Sequence, residues 1–289
     1  MLISALLPGI QFLIMGMAFA LGLSIHPEDF ASFWRQRSQA LRAGFAMFVC
    51  VPLVAVLLTR LLPLSPAAAT TLIVLAASSG VPLLPRKLHW LEHSPFTFGL
   101  LLNSVLCASF MLPLWIHFAA HPEHEPPALQ VFSVMARAYL LPMLCGILLH
   151  RLRPAFAERL SQGMIRIGSL LLLALVVCVL GTQWHLFADL NGTNMLALTL
   201  LFTASIAIGH LLGGPAPKDR AALAISCSQR FAGVAVLLST SPPGGELLFG
   251  VLVYALLAQL LEQPYVMWQK RHMASPAGLI SSGSVPPPP

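Results

Sequence analysis

Charge is what this 289-residue chain has least of. Asp, Glu, Lys and Arg make up 9% of it, where soluble domains carry roughly 25%. So few charges cannot cover the surface of a water-soluble fold of this length, and a globular cytosolic protein is excluded. The formal net charge is +6, yet no clustered basic domain of the kind that grips nucleic acid is present. No nucleophile–base pair, metal-ligand motif or phosphate loop falls in an apolar stretch. That argues against an enzyme and implies neither a cofactor nor a resident metal. The five cysteines (Cys50, Cys107, Cys145, Cys178 and Cys227) lie within apolar runs and none in a polar loop, so they read as small core residues rather than disulfide partners. Met1 to Gly16 holds no Lys or Arg. Despite the cleavage-like Ala18-Phe19-Ala20, the first run therefore reads as a retained helix and not a signal peptide.

Apolar length is what the chain does have. Hydrophobic residues make up 57%, and a membrane-crossing helix needs roughly 20 of them in near-continuous sequence. Nine spans can be drawn, over residues 4–24, 41–60, 66–85, 96–118, 130–150, 166–183, 194–213, 220–240 and 245–266. The runs are too continuous for porin-type strands, which alternate over roughly 10 residues. The expected fold class is an all-α integral membrane protein of about nine transmembrane helices, one domain over residues 1–271. The Ser/Gly/Pro-rich stretch 272–289 is expected to be a disordered cytoplasmic tail.

Basic residues separate by side. Arg35, Arg37 and Arg42 follow span one, and Arg86 and Lys87 follow span three. Arg151, Arg153, Arg159 and Arg166 follow or flank the gap after span five, Lys218 and Arg220 separate spans seven and eight, and Lys270 and Arg271 follow span nine. The opposite side has Arg60. By the positive-inside rule the crowded side is cytoplasmic, which puts the N-terminus outside and the C-terminus inside. Trp34, Trp90, Trp115, Trp184 and Trp268 fall in loops or at span ends, where an indole can face the headgroups.

Several polar residues carry a plain reading beside a sharper one. His117, His121, Glu123, His124 and Glu125 read as a solvated, pH-sensitive loop, with metal binding the lesser reading. Asn191-Gly192-Thr193 matches a glycosylation sequon on the outer side, relevant in a secretory pathway alone; a compact chain of this kind reads as bacterial. Arg137 reads as a snorkelling side chain, and Glu262 as interfacial at the inner end of span nine.

Spans three and eight are interrupted. The first contains Ala77-Ser78-Ser79-Gly80-Val81-Pro82 and the second Ser226-Cys227-Ser228-Gln229-Arg230-Phe231-Ala232-Gly233. Small polar residues with Gly or Pro inside a span weaken a helix and free backbone groups that need partners. Each broken span is followed by an intact one ending near a proline, Pro113 and Pro264. Paired interruptions at matching positions of two halves are the best sequence pointer to a transporter site. On the topology above the two spans enter from opposite sides, so the two units are inverted.

Met15-Gly16-Met17 through Asp29-Phe30, Pro52-Leu53, Ala76 through Leu84 and Arg220 through Leu238 together resemble the bile acid:sodium symporter family over about residues 8 to 270. The resemblance implies two inverted five-helix repeats, a panel of helices and a core where broken helices cross. Against that pattern a counterpart of the family's first helix is not expected in this sequence, which would leave four plus five. Sodium-coupled members carry Glu, Gln and Asn in the second crossover, in a pattern like E-x-G-M-Q-N-x-G. Anchored on Gly233, those positions are Ser226, Arg230 and Phe231, and the Asn-bearing stretch of the first crossover aligns near Leu84-Pro85. A sodium site needs several oxygen ligands. Here the carboxylate is gone and a fixed cation stands in its place, so sodium coupling does not carry over.

The expected function is secondary transport of a small organic solute, an organic anion by the sign of Arg230, across a bacterial inner membrane. The expected site residues are Arg230, Ser226, Ser228, Gln229, Ser78, Ser79 and Gly80 at the breaks, with Thr97 and Asn103 on span four. Arg230 reads either as a cap on carbonyls freed by the break in span three or as a charge in the role of sodium. The competing readings are a sodium- or proton-coupled bile-acid-type symporter, a receptor-like membrane protein and a membrane-embedded enzyme. The partners implied are the substrate and the lipid bilayer, with no nucleic acid; no pattern sets an oligomeric state. Reporter fusions test the topology: one at Lys270 is expected to report cytoplasm and one at Pro122 the outside. The same side for both would mean an even number of crossings between them and end the nine-span scheme.

Overall fold

The computed structural model describes residues 2–24, 35–78, 95–119, 128–182, 192–230 and 244–274, and every regular element among them is a helix. In chain order these are α1 (Leu2–Ser24), α2 (Arg37–Leu61), α3 (Pro66–Ala77), α4 (Pro95–Ala119), α5 (Ala128–Met135 and Leu141–Leu152, joined at Ala136–Leu140), α6 (Pro154–Thr182), α7 (Gly192–Leu212), α8 (Pro217–Ser228) and α9 (Gly244–Ala274). Among the described residues, four stretches are long and apolar enough to cross a membrane unaided: Arg37–Leu61, Phe132–Leu152, Gly192–Leu212 and Phe249–Met273. Leu141, Leu144, Leu148 and Leu152 make an exposed stripe down α5, and Leu53, Leu57 and Leu61 one down α2. A water-soluble surface rarely shows such stripes, whereas lipid accepts them. The chain is a multi-pass membrane protein.

Two sequence readings change at this level. Helix α6 begins at Pro154, not near residue 166, so Arg159 and Arg166 stand on its exposed first turns rather than in a loop. The final helix runs to Ala274, past residue 266, because residues 267–274 carry no Gly or Pro to stop it. Cys145 and Cys178 are exposed, and of the five cysteines Cys227 alone is fully buried, so core packing describes one of them. None forms a disulfide.

Prolines shape two spans. Pro52 cannot donate a backbone N–H, and its ring clashes with the carbonyl four residues back. The helix answers with a π-helical turn at Ala46–Cys50 just before it, the usual form of such a local widening. The carbonyl at risk is that of Phe48, and the Trp115 indole N–H donates to it at 2.9 Å. Trp115 is thus an interior donor, not a headgroup anchor. Helix α5 repeats the device, with a π-helical turn at Ala136–Leu140 ahead of Pro142. Arg137 on that turn is exposed.

The helices associate in two groups. In the first, α1 packs on α5 and α6. A Cβ at Gly22 would overlap the Met143 carbonyl, and one at Gly146 the Phe19 carbonyl, so the two backbones touch where both residues lack side chains, as small residues allow in membranes. One end of this group is tied by polar bonds. His150 Nδ1 meets the Leu23 carbonyl at 2.7 Å and Ser161 Oγ donates to the Ala20 carbonyl at 2.9 Å, answering carbonyls near the end of α1. The second group is α2, α3, α7, α8 and α9, with α4 touching both groups. Here α7 and α8 form a tight hairpin: Gly209 and Gly213 face the backbone of Ala224 and Arg220, and Gly214 turns the chain at a φ of 87° that other residues resist.

Helices α3 and α8 form a matched pair. Each has 12 residues, starts with proline at its first turn and follows the preceding span after four residues. Pro113 lies 47 positions after Pro66, and Pro264 lies 47 after Pro217. Thr71–Ala77 and Ala221–Ser228 are buried without a break, the mark of a helix enclosed on all sides. Gly22→Ala should push α1 from α5 and cost about 1–3 kcal/mol as an overpacked contact. Gly9 has nothing within 4 Å, so Gly9→Ala should be neutral or gain up to about 1 kcal/mol of helix propensity. Melting in detergent checks both; equal effects would mean that the α1–α5 contact is loose.

Candidate functional site

The site is built where α3 and α8 stop. A helix end leaves its last four carbonyls without intrahelical partners and carries roughly half a negative charge. At the end of α3 the Ser78 N–H takes the Val74 and Leu75 carbonyls. The Ala76 carbonyl receives the Arg230 guanidinium, Nη1 donating at 3.2 Å. Arg230 lies two residues past the end of α8. It also donates through Nη2 to Ser205 Oγ on α7 at 3.0 Å and reaches the Tyr254 hydroxyl on α9. Tyr254 in turn donates to the Ser228 carbonyl, at the end of α8, at 2.7 Å. One cation therefore joins the ends of both short helices and two intact spans.

A carboxylate completes the cluster. Gln229 Nε2 donates to Glu262 Oε2 of α9. Glu262 is 3% exposed and Arg230 6%; among the described residues they are the one buried carboxylate and the one buried guanidinium. Tyr254 lies within electrostatic reach of both. A lone charge in mid-membrane costs roughly 2.5–3.5 kcal/mol on insertion scales. Glu262 is held by Gln229, the residue directly before Arg230, so the two opposite charges share one buried cluster; that reduces the cost, and removing either exposes it.

The residues singled out from sequence divide. Arg230, Gln229, Ser228, Ser226 and Ser78 gather at the two ends and are buried. The three serine hydroxyls, however, donate back to their own helices, to Leu75, Ala222 and Ile225; such bonds close helix ends rather than reach out. Asn103 is buried on α4, with Cys107 Sγ 3.8 Å from its carbonyl oxygen. Thr97 lies on α4 but its side chain is not described, and Ser79 and Gly80 fall outside the described residues, as do His121, Glu123, His124 and Glu125. Of the two readings of Arg230, the geometry shows the cap on α3.

Three members of the cluster were not singled out. The interfacial reading of Glu262 is wrong: the side chain faces inward. Its signal was periodicity, because Tyr254, Ala258 and Glu262 recur every four residues and are all buried, one face of a helix. Ser205 and Tyr254 carry no local signal, since a Ser or Tyr in a span is ordinary until a partner appears.

Residues 11–190 match the model of the Sodium Bile acid symporter family. The match covers more than half of the chain, and the chain belongs to that family, whose members are transporters and not enzymes. No curated protein matches it. Tyr254→Phe strands the Ser228 carbonyl and removes a contact to Arg230, and should cost about 1–3 kcal/mol. Tyr265→Phe, at a half-buried position shared with His210, should cost less. Denaturant or thermal unfolding in detergent compares them, and a wild-type midpoint for Tyr254→Phe would mean that α9 does not hold the end of α8.

Proposed function

We propose that this member of the Sodium Bile acid symporter family moves a small organic anion across a bacterial inner membrane by alternating access and without sodium. The observation that carries the reading is Arg230. Its buried positive charge joins the two short helices at the level where transporters of this general design place substrate and ions. A sodium ion would bring a mobile positive charge to the converging helix ends; a guanidinium places one there permanently, and a positive charge at the crossing suits an anion. The matched α3 and α8, with equal spacing to Pro113 and Pro264, support an inverted repeat. The grouping of α1, α5 and α6 supports a panel that rocks against the remaining core. The distribution of Lys and Arg supports an outer N-terminus and a cytoplasmic C-terminus. On this reading residues 1–271 are one transmembrane domain and 272–289 a cytoplasmic tail. Ser78, Ser79, Gly80, Ser226, Ser228, Gln229, Thr97 and Asn103 line or support the crossing.

The test is uptake into proteoliposomes of a panel of radiolabelled anions, taurocholate, succinate and benzoate among them, with and without sodium. Uptake by the wild type is expected to be the same in both. Arg230→Gln should abolish it with the protein still inserted, and Arg230→Lys should keep part, because a point charge cannot reproduce the planar fork to Ala76 and Ser205. Uptake that requires sodium, or full activity of Arg230→Gln, would overturn the reading.

A further inference from the structure

We propose that Glu262 is the coupling group and that the carrier moves one proton with each monovalent anion. The inference rests on the anion-transport reading above and supplies what that reading leaves open, the driving ion. Glu262 is a carboxylate inside the membrane-crossing stretch of α9, where ionisable side chains mark proton or substrate paths.

Its partner suits a group that changes protonation. Gln229 offers an amide, which donates N–H to the carboxylate and, turned by half a rotation, accepts O–H from the acid. Gln229 is also the residue directly before Arg230, so a change at the carboxyl is passed along one peptide bond to the cation that caps α3.

Charge balance makes the coupling. With Glu262 ionised, its charge offsets Arg230 and the crossing is neutral with no anion bound. A proton from the outer water, added to a Glu262 oxygen, leaves the crossing with the single positive charge of Arg230, which a monovalent anion matches. Proton and anion therefore each raise the affinity for the other, as linkage requires. The empty and the doubly loaded carrier are both neutral at the crossing and can change conformation. The half-loaded forms carry a net charge within the membrane, which is costly to move. Release of the anion and of the proton on the inner side restores the carboxylate.

Other ionisable groups near α9 do not fit this role. Helix α3 brings none. Near its end α8 brings Cys227 and Arg230, with Lys218, Asp219 and Arg220 in its first turns. Helix α7 brings His210, bonded to Tyr265 at 2.9 Å, and α6, in light contact, has Glu158, Arg159, Arg166 and Cys178. Along α9 itself stand Tyr254, Tyr265, Lys270, Arg271 and His272, with Glu246 in its first turn, sixteen residues before Glu262, its side chain outside those described. Of these, Arg230 follows Gln229 in the chain and Tyr254 donates to the Ser228 carbonyl just before it, and a guanidinium stays charged throughout.

Proteoliposomes with the same anion panel decide the matter. Wild type should accumulate an anion when the outside is acid, and stop when a protonophore collapses the gradient. Glu262→Gln should lose accumulation to the level of empty vesicles while still exchanging labelled for unlabelled anion. Gln229→Leu, which keeps the carboxyl and removes its N–H donor, should move the pH midpoint of uptake upward, and it serves if Glu262→Gln does not insert. Infrared difference spectra of the wild type should show a carboxylic-acid band that titrates and is absent in Glu262→Gln. Accumulation indifferent to the pH gradient, accumulation retained by Glu262→Gln, an unmoved midpoint in Gln229→Leu or no titrating band would each overturn the proposal. Failure of the wild type even to exchange any anion would instead overturn the anion-transport reading beneath it.

Discussion

Two helix ends meeting inside a membrane are the constraint on which the rest of this structure depends. In water an unpaired carbonyl finds a solvent partner; in hydrocarbon it must find one in the protein. Helices α3 and α8 both stop within the fold, and their terminal carbonyls are answered from outside themselves: Ala76 by Arg230, and Ser228 by Tyr254. The electrostatic part of the problem has the same answer. Two C-terminal ends bring negative potential to one place, and a guanidinium supplies the opposite sign together with directed donors. Ser205 and the Gln229–Glu262 pair then hold that guanidinium and its neighbour against α7 and α9.

The second group of helices is joined by different physics. Where α1 crosses α5, contact is made by backbone, through Gly22 and Gly146, and is closed at one end by His150 and Ser161. Close packing of small residues substitutes for the hydrophobic drive that lipid does not provide. The cluster built on Arg230 lies wholly in the α2, α3, α7, α8 and α9 group, with α4 as the shared neighbour. A polar cluster confined to one group, beside a second group held by its own contacts, is an arrangement in which one body could shift without breaking the other's bonds.

Glycine and proline act in pairs throughout. Pro52 and Pro142 each follow a π-helical turn, Pro66 and Pro217 start the short helices, and Pro113 and Pro264 sit inside the long ones that follow. Within the long helices each proline removes a donor and displaces a carbonyl, whereas at the first turn of the short ones the missing N–H has no partner to lose. The carbonyl displaced by Pro52, that of Phe48, is taken by Trp115.

By itself the sequence determined the all-helical, multi-pass class of the protein, the two places where short helices stop and the unusual cation beyond the second. Each of these follows from a local property: run length, hydropathy, the missing N–H of proline and the cost of charge in lipid. It also carried the family, through short motifs around the same interruptions. Tertiary structure alone decided what Arg230 holds, because Ala76, Ser205 and Tyr254 lie 154, 25 and 24 residues away in the chain and no local pattern links them. It also moved Glu262 from the interface to the interior. A carboxylate near the end of a span reads as solvated until the face it shares with Tyr254 is seen to point at another helix, and that depends on how α9 is rotated against α8, which packing sets and composition does not.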